Sequence, residues 1–449
     1  MANVFTSIAR TPDLRNRILF TLGLLGVYRL GVFVPCPGVD REALGDFFAN
    51  NEGTLFGLYD MFSGGALEQF SVFMLGIMPY ISASILMQMM VVVVPQLERI
   101  NKEGQTGRNK VIQYTRYMAI AISIVQALAS AFTFERMKTS AGADIVIHAG
   151  LAFRLMTVLT MTAGACFVMW LGEQISDRGI GNGSSILITA NIIARLPSAV
   201  MNTFQKVKIG DMNLLGLVLL LAGMALVVAF IVFVERAQRR VPIQYAKRVV
   251  GRRIYGGQAT HLPLKINTSG VIPPIFASSV MMFPGTIASF YNHPALVSVA
   301  SAFTPGRWLY FVTFLVLIVF FAYFYTAITF NPVDVADNLR RQGGYVPGIR
   351  PGRQTADFID YLLTRLTAVG AVYLSAVCIL PTLLIQRYGV PFYFGGTSLI
   401  IVVGVTLDTV GQIEAHLLTR HYDGVTQSGG SLLGRVRQRR RMLTAPEEK

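Results

Sequence analysis

Ten apolar runs occupy most of this sequence, and each is close to the length that an α-helix needs to cross a lipid bilayer. A spanning helix takes about 20 mostly apolar residues. Hydrophobic residues make up 53% and charged residues 14% of the 449 residues, which excludes a disordered chain and argues against an ordinary soluble enzyme. We therefore predict an all-α polytopic membrane protein with ten transmembrane helices, at roughly 18–35, 73–95, 112–134, 151–172, 185–204, 214–234, 269–290, 308–330, 366–386 and 397–418.

The number of lysines and arginines alternates between high and low in successive connections of these runs. One set of connections, which includes both ends of the chain, holds 29 of the 39 basic residues, and the intervening set holds seven. The remaining three, Arg29, Arg154 and Arg195, lie within the runs, and Arg116 at the start of the third run is counted with the connection before it. Because cytoplasmic connections carry the excess of Lys and Arg, we predict that both termini are cytoplasmic. The N-terminus resembles a signal sequence without a cleavage site, which predicts an uncleaved first span.

The residue types needed for metal or nucleotide chemistry are scattered. Cys36, Cys166 and Cys378 are isolated, the five histidines form no close pair, and no phosphate-binding GxxxxGK[ST] string is present. The Gly-rich loop 179–183 follows a helix rather than a strand, so it is a weak phosphate cradle. The sequence predicts neither a cofactor nor a metal site nor an enzyme.

The stretch 55–95 combines a short apolar stub with a spanning run that contains polar residues. The stub, 55–67, is broken by glycines and is too short to cross a bilayer. The run 73–95 contains Gly76, Pro79, Ser84 and Gln88. Irregular backbone at membrane depth is tolerated only beside protein or water, so we predict a re-entrant element next to a helix that lines a cavity.

Two basic connections are longer than topology alone requires. In 235–265, apolar and basic residues alternate around 241–250 and 252–255, which predicts a hairpin of two short strands. In 331–365, two prolines and two glycines within 345–352 predict a rigid turn that presents Arg350. These connections are either topogenic charges at the lipid surface or docking surfaces for a cytoplasmic partner, and we favour docking. The basic tail 435–441 suits contact with anionic lipids.

Polar residues inside the predicted spans have two interpretations. Ser84 and Gln88 in the second span, and the string 267–270 (NTSG) before the seventh, either join helices statically or line a functional face. Arg29 is expected to be snorkelling or paired rather than part of a proton relay.

Longer strings connect the chain to a known family. They are 28–31 (YRLG), 35–40 (PCPGVD), 61–67 (MFSGGAL), 75–84 (LGIMPYISAS), 260–265 (THLPLK), 346–352 (VPGIRPG) and 390–398 (VPFYFGGTS). On these strings nearly the whole chain resembles the SecY family, the pore-forming subunits of bacterial Sec protein translocases.

The resemblance implies two pseudo-symmetric five-helix halves around a central hourglass pore: an N-terminal half at 1–210, a C-terminal half at 211–419 and a basic cytoplasmic tail at 420–449. It places a sealing pore ring at Ile77, Ile81, Ser184, Ile188, Ile275 and Ile401. Positions 77 and 81, like 184 and 188, are four residues apart and share a helix face. A branched apolar ring can bar ions by dewetting. Ser184 departs from that pattern, which predicts a wider or wetter ring there.

The same resemblance implies a plug that fills the outer funnel at rest. Its residues are Leu55, Phe56, Gly57, Leu58, Tyr59, Asp60, Met61, Phe62, Ser63, Gly64, Gly65, Ala66 and Leu67. Spans two, three, seven and eight would form a lateral gate to lipid, with a polar cluster at Gln88 and Asn267. Signal sequences would open this gate and displace the plug.

The resemblance also implies partners in the bacterial inner membrane and the cytoplasm. These are SecE and SecG in a membrane heterotrimer, the SecA motor, the ribosome, signal sequences and unfolded precursors, anionic lipids, SecDF and a YidC-type insertase. Docking of SecA or the ribosome would use Arg239, Arg240, Lys247, Arg248, Arg252, Arg253 and Arg350. SecA or the ribosome would drive transport through a passive channel.

Two other classes stay open. A secondary transporter also uses broken helices and repeats, although the spans lack carboxylates suited to ion coupling. An insertase without a pore would need neither a plug nor an apolar ring. A small membrane subunit that copurifies with the chain would favour the translocation channel.

Overall fold

A computed structural model describes residues 11–40, 43–45, 63–136, 145–210, 213–245, 248–250, 253–255, 259–290, 302–303, 307–388 and 396–417. The described residues are mostly helical. The helices are α1 (Pro12–Val32), α2 (Met78–Val93), α3 (Pro95–Lys102), α4 (Gln105–Arg136), α5 (Leu151–Arg178), α6 (Gly183–Ala194), α7 (Leu196–Ile209), α8 (Leu214–Arg236), α9 (Ile272–Phe290), α10 (Trp308–Thr329), α11 (Pro332–Arg341), α12 (Arg353–Tyr388) and α13 (Gly396–Leu417).

A helix lies in each of the ten predicted runs, and the chain is a multi-span membrane protein. Among the described residues, seven helical stretches are long and apolar enough to cross a bilayer, or eight if α2 and α3 count as one bent span. The helices α1 and α9 do not meet that criterion. Charges at both ends of α1 shorten its apolar stretch, and the described apolar part of α9 is Ile272–Met281.

The second predicted span starts later than its hydrophobicity suggests. Residues 73–77 form turns, and α2 begins at Met78 with Pro79 in its first turn, where a missing N–H costs nothing. The helix stops at Val93, and α3 leaves its axis at 100°. Pro95 explains this bend, because the residue before a proline avoids helical geometry and Val94 has an extended ψ of 110°.

The helices pack in two groups that meet at α9. In the first group α4 packs against α2 and α5, and α5 also packs against α1 and α6. In the second group α10 packs between α9 and α12. Because α9 also contacts α2 and α4, it joins the two groups. One large apolar cluster contains buried residues from both groups.

The long basic connection after α8 folds into strands. These are β1 (Gln238–Tyr245), β2 (Arg248–Val250), β3 (Arg253–Tyr255) and β4 (Ala259–Lys265), and a later two-residue strand is β5 (Gly344–Tyr345). The predicted hairpin is confirmed, but it contains four described strands rather than two, and β4 lies outside the predicted limits. Antiparallel pairing runs from Gln238↔Lys265 to Gln244↔Ala259, and the tip pairs β2 with β3.

The second basic connection packs onto this hairpin. Strand β5 pairs with the free edge of β1, through Gln244↔Tyr345 and Tyr245↔Gly344. Buried side chains from β1, β4, α11, the turn after β5 and α12 share one small apolar cluster, namely Val241, Ile243, Leu264, Leu339, Val346, Ile359 and Leu363. We call this unit (β1–β5, α11 and the start of α12) the sheet module.

Candidate functional site

Four of the six predicted ring residues meet in one apolar cluster. Ile77 lies just before α2, Ile188 on α6, Ile275 on α9 and Ile401 on α13. Their exposed fractions are 3, 2, 7 and 1%, and half-buried Ile81 packs against the same cluster. The fold thus brings together five positions that are spread over more than 300 residues of sequence. An apolar contact region of this composition can exclude water and ions.

Ser184 lies in the first turn of α6 and is half-buried. Its hydroxyl donates to Oδ1 of Asn182 at 2.7 Å, and Asn182 also accepts from the backbone N–H groups of residues 184 and 185 as the helix cap. The cap satisfies the serine hydroxyl locally. This residue therefore adds less polarity to the region than its type suggests. The sequence analysis missed Asn182, although Asn followed by an apolar run is a helix-start signal.

The described end of the predicted plug reaches the same cluster. Residues 55–62 lie outside the described part of the chain, whereas 63–67 are described. Ala66 is fully buried in the cluster that holds the four isoleucines, and Leu67 is buried in the neighbouring cluster. Gly64 and Gly65 have φ angles of 70° and 91°, a left-handed turn that glycine adopts without strain.

The two residues of the predicted polar cluster have different surroundings. Gln88 is exposed on α2, and its amide donates to the Ser84 hydroxyl at 3.4 Å. Asn267 is 2% exposed and donates to Oε1 of Glu235 at 2.7 Å and to the Gly270 carbonyl at 3.1 Å. Within the described contacts no hydrogen bond joins Gln88 to Asn267. Glu235, at the end of α8, is a partner that the sequence analysis did not identify.

Five of the seven basic residues predicted for docking lie in the described part of the sheet module. Arg239 and Arg240 are exposed on β1, and Arg350 is exposed in the turn after β5. The Arg350 carbonyl accepts from the Thr355 hydroxyl at 2.9 Å, which ties this turn to the start of α12. The backbones of Arg248 and Arg253 lie in the paired strands at the hairpin tip. Lys247 and Arg252 lie outside the described residues.

Comparison with known proteins identifies the family. The family model described as SecY matches residues 71–410. The chain is 47% identical over 415 residues to the protein translocase subunit SecY of Escherichia coli strain K12, covering 92% of this chain and 93% of the relative. The chain belongs to the SecY family. The Aquifex aeolicus SecY subunit is 44% identical over 423 residues, with 94% and 99% of the two chains covered.

Solved structures share the SecY-family fold at low sequence identity. "The structure of a protein conducting channel" gives a TM-score of 0.61 at 14% identity, covering 90% of this chain and 93% of that one. A SecY structure whose plug domain "stablizes the closed state" gives 0.63 at 15% identity, with the same coverage. The idle yeast Ssh1 complex bound to the 80S ribosome gives 0.57 at 17% identity, with 91% and 90% covered.

Proposed function

We propose that this SecY-family chain is the central channel subunit of a bacterial Sec translocon. It passes unfolded secretory proteins across the inner membrane and releases membrane-protein helices sideways into lipid. The observation that carries this proposal is the convergence of Ile77, Ile188, Ile275 and Ile401 in one buried apolar cluster. Relatives named protein translocase subunit SecY, 44% to 47% identical over most of the chain, support it.

The ring seals the resting channel by excluding water. Its members are Ile77, Ile81, Ser184, Ile188, Ile275 and Ile401. They surround a central hourglass pore in a ten-span protein whose two five-helix halves are 1–210 and 211–419. Aliphatic side chains bind neither ions nor water, so the gap between them dewets. The same side chains make no specific contact with a passing polypeptide, which lets many sequences cross.

The plug at 55–67 closes the outer side of this ring at rest. The burial of Ala66 in the same apolar cluster as four of the ring residues supports that position. In one fold neighbour, the plug domain of a SecY protein is described as maintaining a membrane seal. A signal sequence that enters the channel displaces the plug and opens the path.

The lateral gate lies where the two helix groups meet. The contacts of α9 with α2 and α4 support a seam that a signal helix can part. Gln88 and Asn267 lie along this seam. No described hydrogen bond joins these two residues. A polar contact between membrane helices contributes only about 0.6 kcal/mol, so a bound apolar helix can part this seam.

The sheet module is the docking surface for SecA and the ribosome. Exposed Arg239, Arg240 and Arg350 on a sheet-stiffened unit support this role. Arginine also suits contact with the phosphates of ribosomal RNA. A fold neighbour that was solved bound to the yeast 80S ribosome supports a ribosome partner. SecE and SecG complete the membrane heterotrimer, and both chain termini face the cytoplasm. Energy comes from SecA or the ribosome.

Reconstitution into vesicles tests the proposal. The chain is assembled with SecE and SecG, then supplied with SecA, ATP and an unfolded secretory precursor. We expect protection of the precursor from external protease that depends on ATP. An assembled complex that gives no protection, while a control translocon does, would favour a secondary transporter and direct attention to solute uptake.

A further inference from the structure

Two arginines that lie within predicted spans, Arg29 and Arg195, contact one short turn, residues 64–68. The turn comprises the end of the predicted plug and the first residue after it. Arg29 reaches it from α1, and Arg195 reaches it from the break between α6 and α7. Charged side chains inside membrane segments are costly and are usually paired for a function. Two such residues on one turn therefore indicate that the turn has a function.

The contact from Arg29 is to the backbone. Its Nη1 donates to the Gly64 carbonyl at 2.6 Å, and its guanidinium lies 5.3 Å from the centre of the Phe33 ring. A hydrogen bond from a charged donor is stronger than a neutral one. Because the acceptor is a main-chain carbonyl, the contact depends on the position of the turn rather than on a side chain of the plug.

The contact from Arg195 is an ion pair. Its Nη2 donates to Oε2 of Glu68 at 3.1 Å, and the side chains are 18% and 51% exposed. A Cβ placed on Gly65 would lie 3.5 Å from the same Nη2, so the guanidinium covers the turn closely. Arg195 thus contacts the turn through the carboxylate of Glu68, whereas Arg29 contacts it through the backbone.

The helices that carry the arginines are braced against each other. Asn191 on α6 donates from Nδ2 to the Tyr28 hydroxyl on α1 at 2.8 Å. Asn191 also packs closely against the turn: a Cβ on Gly64 would lie 2.6 Å from its Oδ1, so this position has no space for a side chain. The two arginines therefore belong to a fixed frame against which the turn is seated.

The chain beyond the turn is fixed as well. The Ser71 N–H donates to the Ala66 carbonyl at 2.9 Å, and the Cys36 N–H donates to the Phe70 carbonyl at 2.8 Å. Residues 66–72 are thus attached to the segment after α1. Any outward movement of the plug must then bend at, or pull on, the turn that the arginines hold.

We propose that Arg29, Arg195 and the turn 64–68 form an arginine latch that sets how firmly the plug stays in its resting position. This inference rests on the proposed plug and extends it by naming what holds it. Displacement of the plug breaks the bonds to Gly64 and Glu68. Re-formation of those bonds returns the channel to its sealed state.

Ion conductance of the resting complex in planar bilayers tests the latch. We expect Glu68→Gln, at a half-exposed site that folding tolerates, to raise the resting conductance about two- to fivefold. Arg29→Gln removes a charged donor, and we expect about a tenfold rise. The exchanged pair Glu68→Arg with Arg195→Glu restores the ion pair and should return the conductance to within about twofold of wild type.

The chain offers a matched control in another arginine–carboxylate pair. Arg154 binds Glu135 at 2.7 Å between α5 and α4, and no described hydrogen bond or ion pair joins either residue to residues 64–68. We expect Glu135→Gln to leave the resting conductance unchanged, and an equal rise in that variant would refute a latch specific to the turn.

Deletion of residues 55–67 separates failure of the latch from failure of the plug. If the deletion leaks but Glu68→Gln and Arg29→Gln conduct like wild type, the latch is refuted and the plug stands. If the deletion does not leak, the plug assignment fails and the latch fails with it.

Discussion

The large apolar cluster that contains Ile77, Ile188, Ile275 and Ile401 (the ring cluster) and the sheet module are held together by different forces. The cluster gathers side chains from helices throughout the chain, with packing as its main contact. The module uses backbone hydrogen bonds across β4, β1 and β5, with a small apolar core beneath. Apolar packing is non-directional, so a cluster can part and close again. Paired strands have a definite register, so a sheet keeps its shape.

This difference separates two tasks. In the proposed function, the ring opens for each substrate, whereas the sheet module presents its charges to a partner in one arrangement. A variant in one region should therefore leave the other region unaffected.

The largest effect is expected from reversing a charge on the module. Arg350→Glu replaces a cation of the proposed interface by a carboxylate. Loss of an interface charge costs several kcal/mol of binding free energy. We expect SecA-driven transport to fall about a hundredfold while the complex stays assembled. Transport into vesicles measures this decrease. Arg353→Glu is the control, because Arg353 is an exposed neighbour that lies outside the predicted docking set. Normal transport by the Arg350 variant would refute the assignment of Arg350 to the docking surface.

A steric change inside the module should loosen it alone. A Cβ on Gly344 would lie 3.0 Å from Cε1 of Tyr245 and 3.2 Å from Cγ2 of Ile243. We expect Gly344→Val to destabilise the sheet by about 1–3 kcal/mol. Hydrogen exchange should then accelerate in 238–265 and 344–346 but not in α6. Exchange that accelerates equally in both regions would contradict the separation.

A polar residue in the ring should open the seal without affecting the module. We expect Ile401→Ser to raise the resting ion conductance about tenfold, because a hydroxyl retains water in a narrow apolar gap. Ile400→Ser is the matched control, since Ile400 is equally buried in the same cluster but is not a predicted ring residue. Equal leaks from the two variants would show that packing, rather than a ring, accounts for the seal.

The smallest effect is expected at the polar ring position. Because the Ser184 hydroxyl is already bonded to Asn182, Ser184→Val should lower the resting conductance by only about twofold. Ser185→Val, also half-buried on α6, provides the baseline. A much larger decrease would mean that Ser184 admits water despite its bond to the cap.

The sequence alone determined which segments are helices and where the hairpin lies. Both are matters of local composition: an apolar run near 20 residues forms a helix in lipid, and alternation with basic residues forms strands. The deviations have local causes too. Pro79 delays the start of α2, and Pro95 bends the chain after Val93.

Only the tertiary structure decided which distant groups meet. Pairing of Gln244 with Tyr345 merges two basic connections into one module. Asn267 bonds to Glu235 rather than to Gln88, and Arg29 and Arg195 meet one turn. Such partners depend on strand register and on helix packing over more than 30 residues of sequence. A polar side chain in a buried site must find a partner, but its residue type does not specify which partner the packing will place beside it.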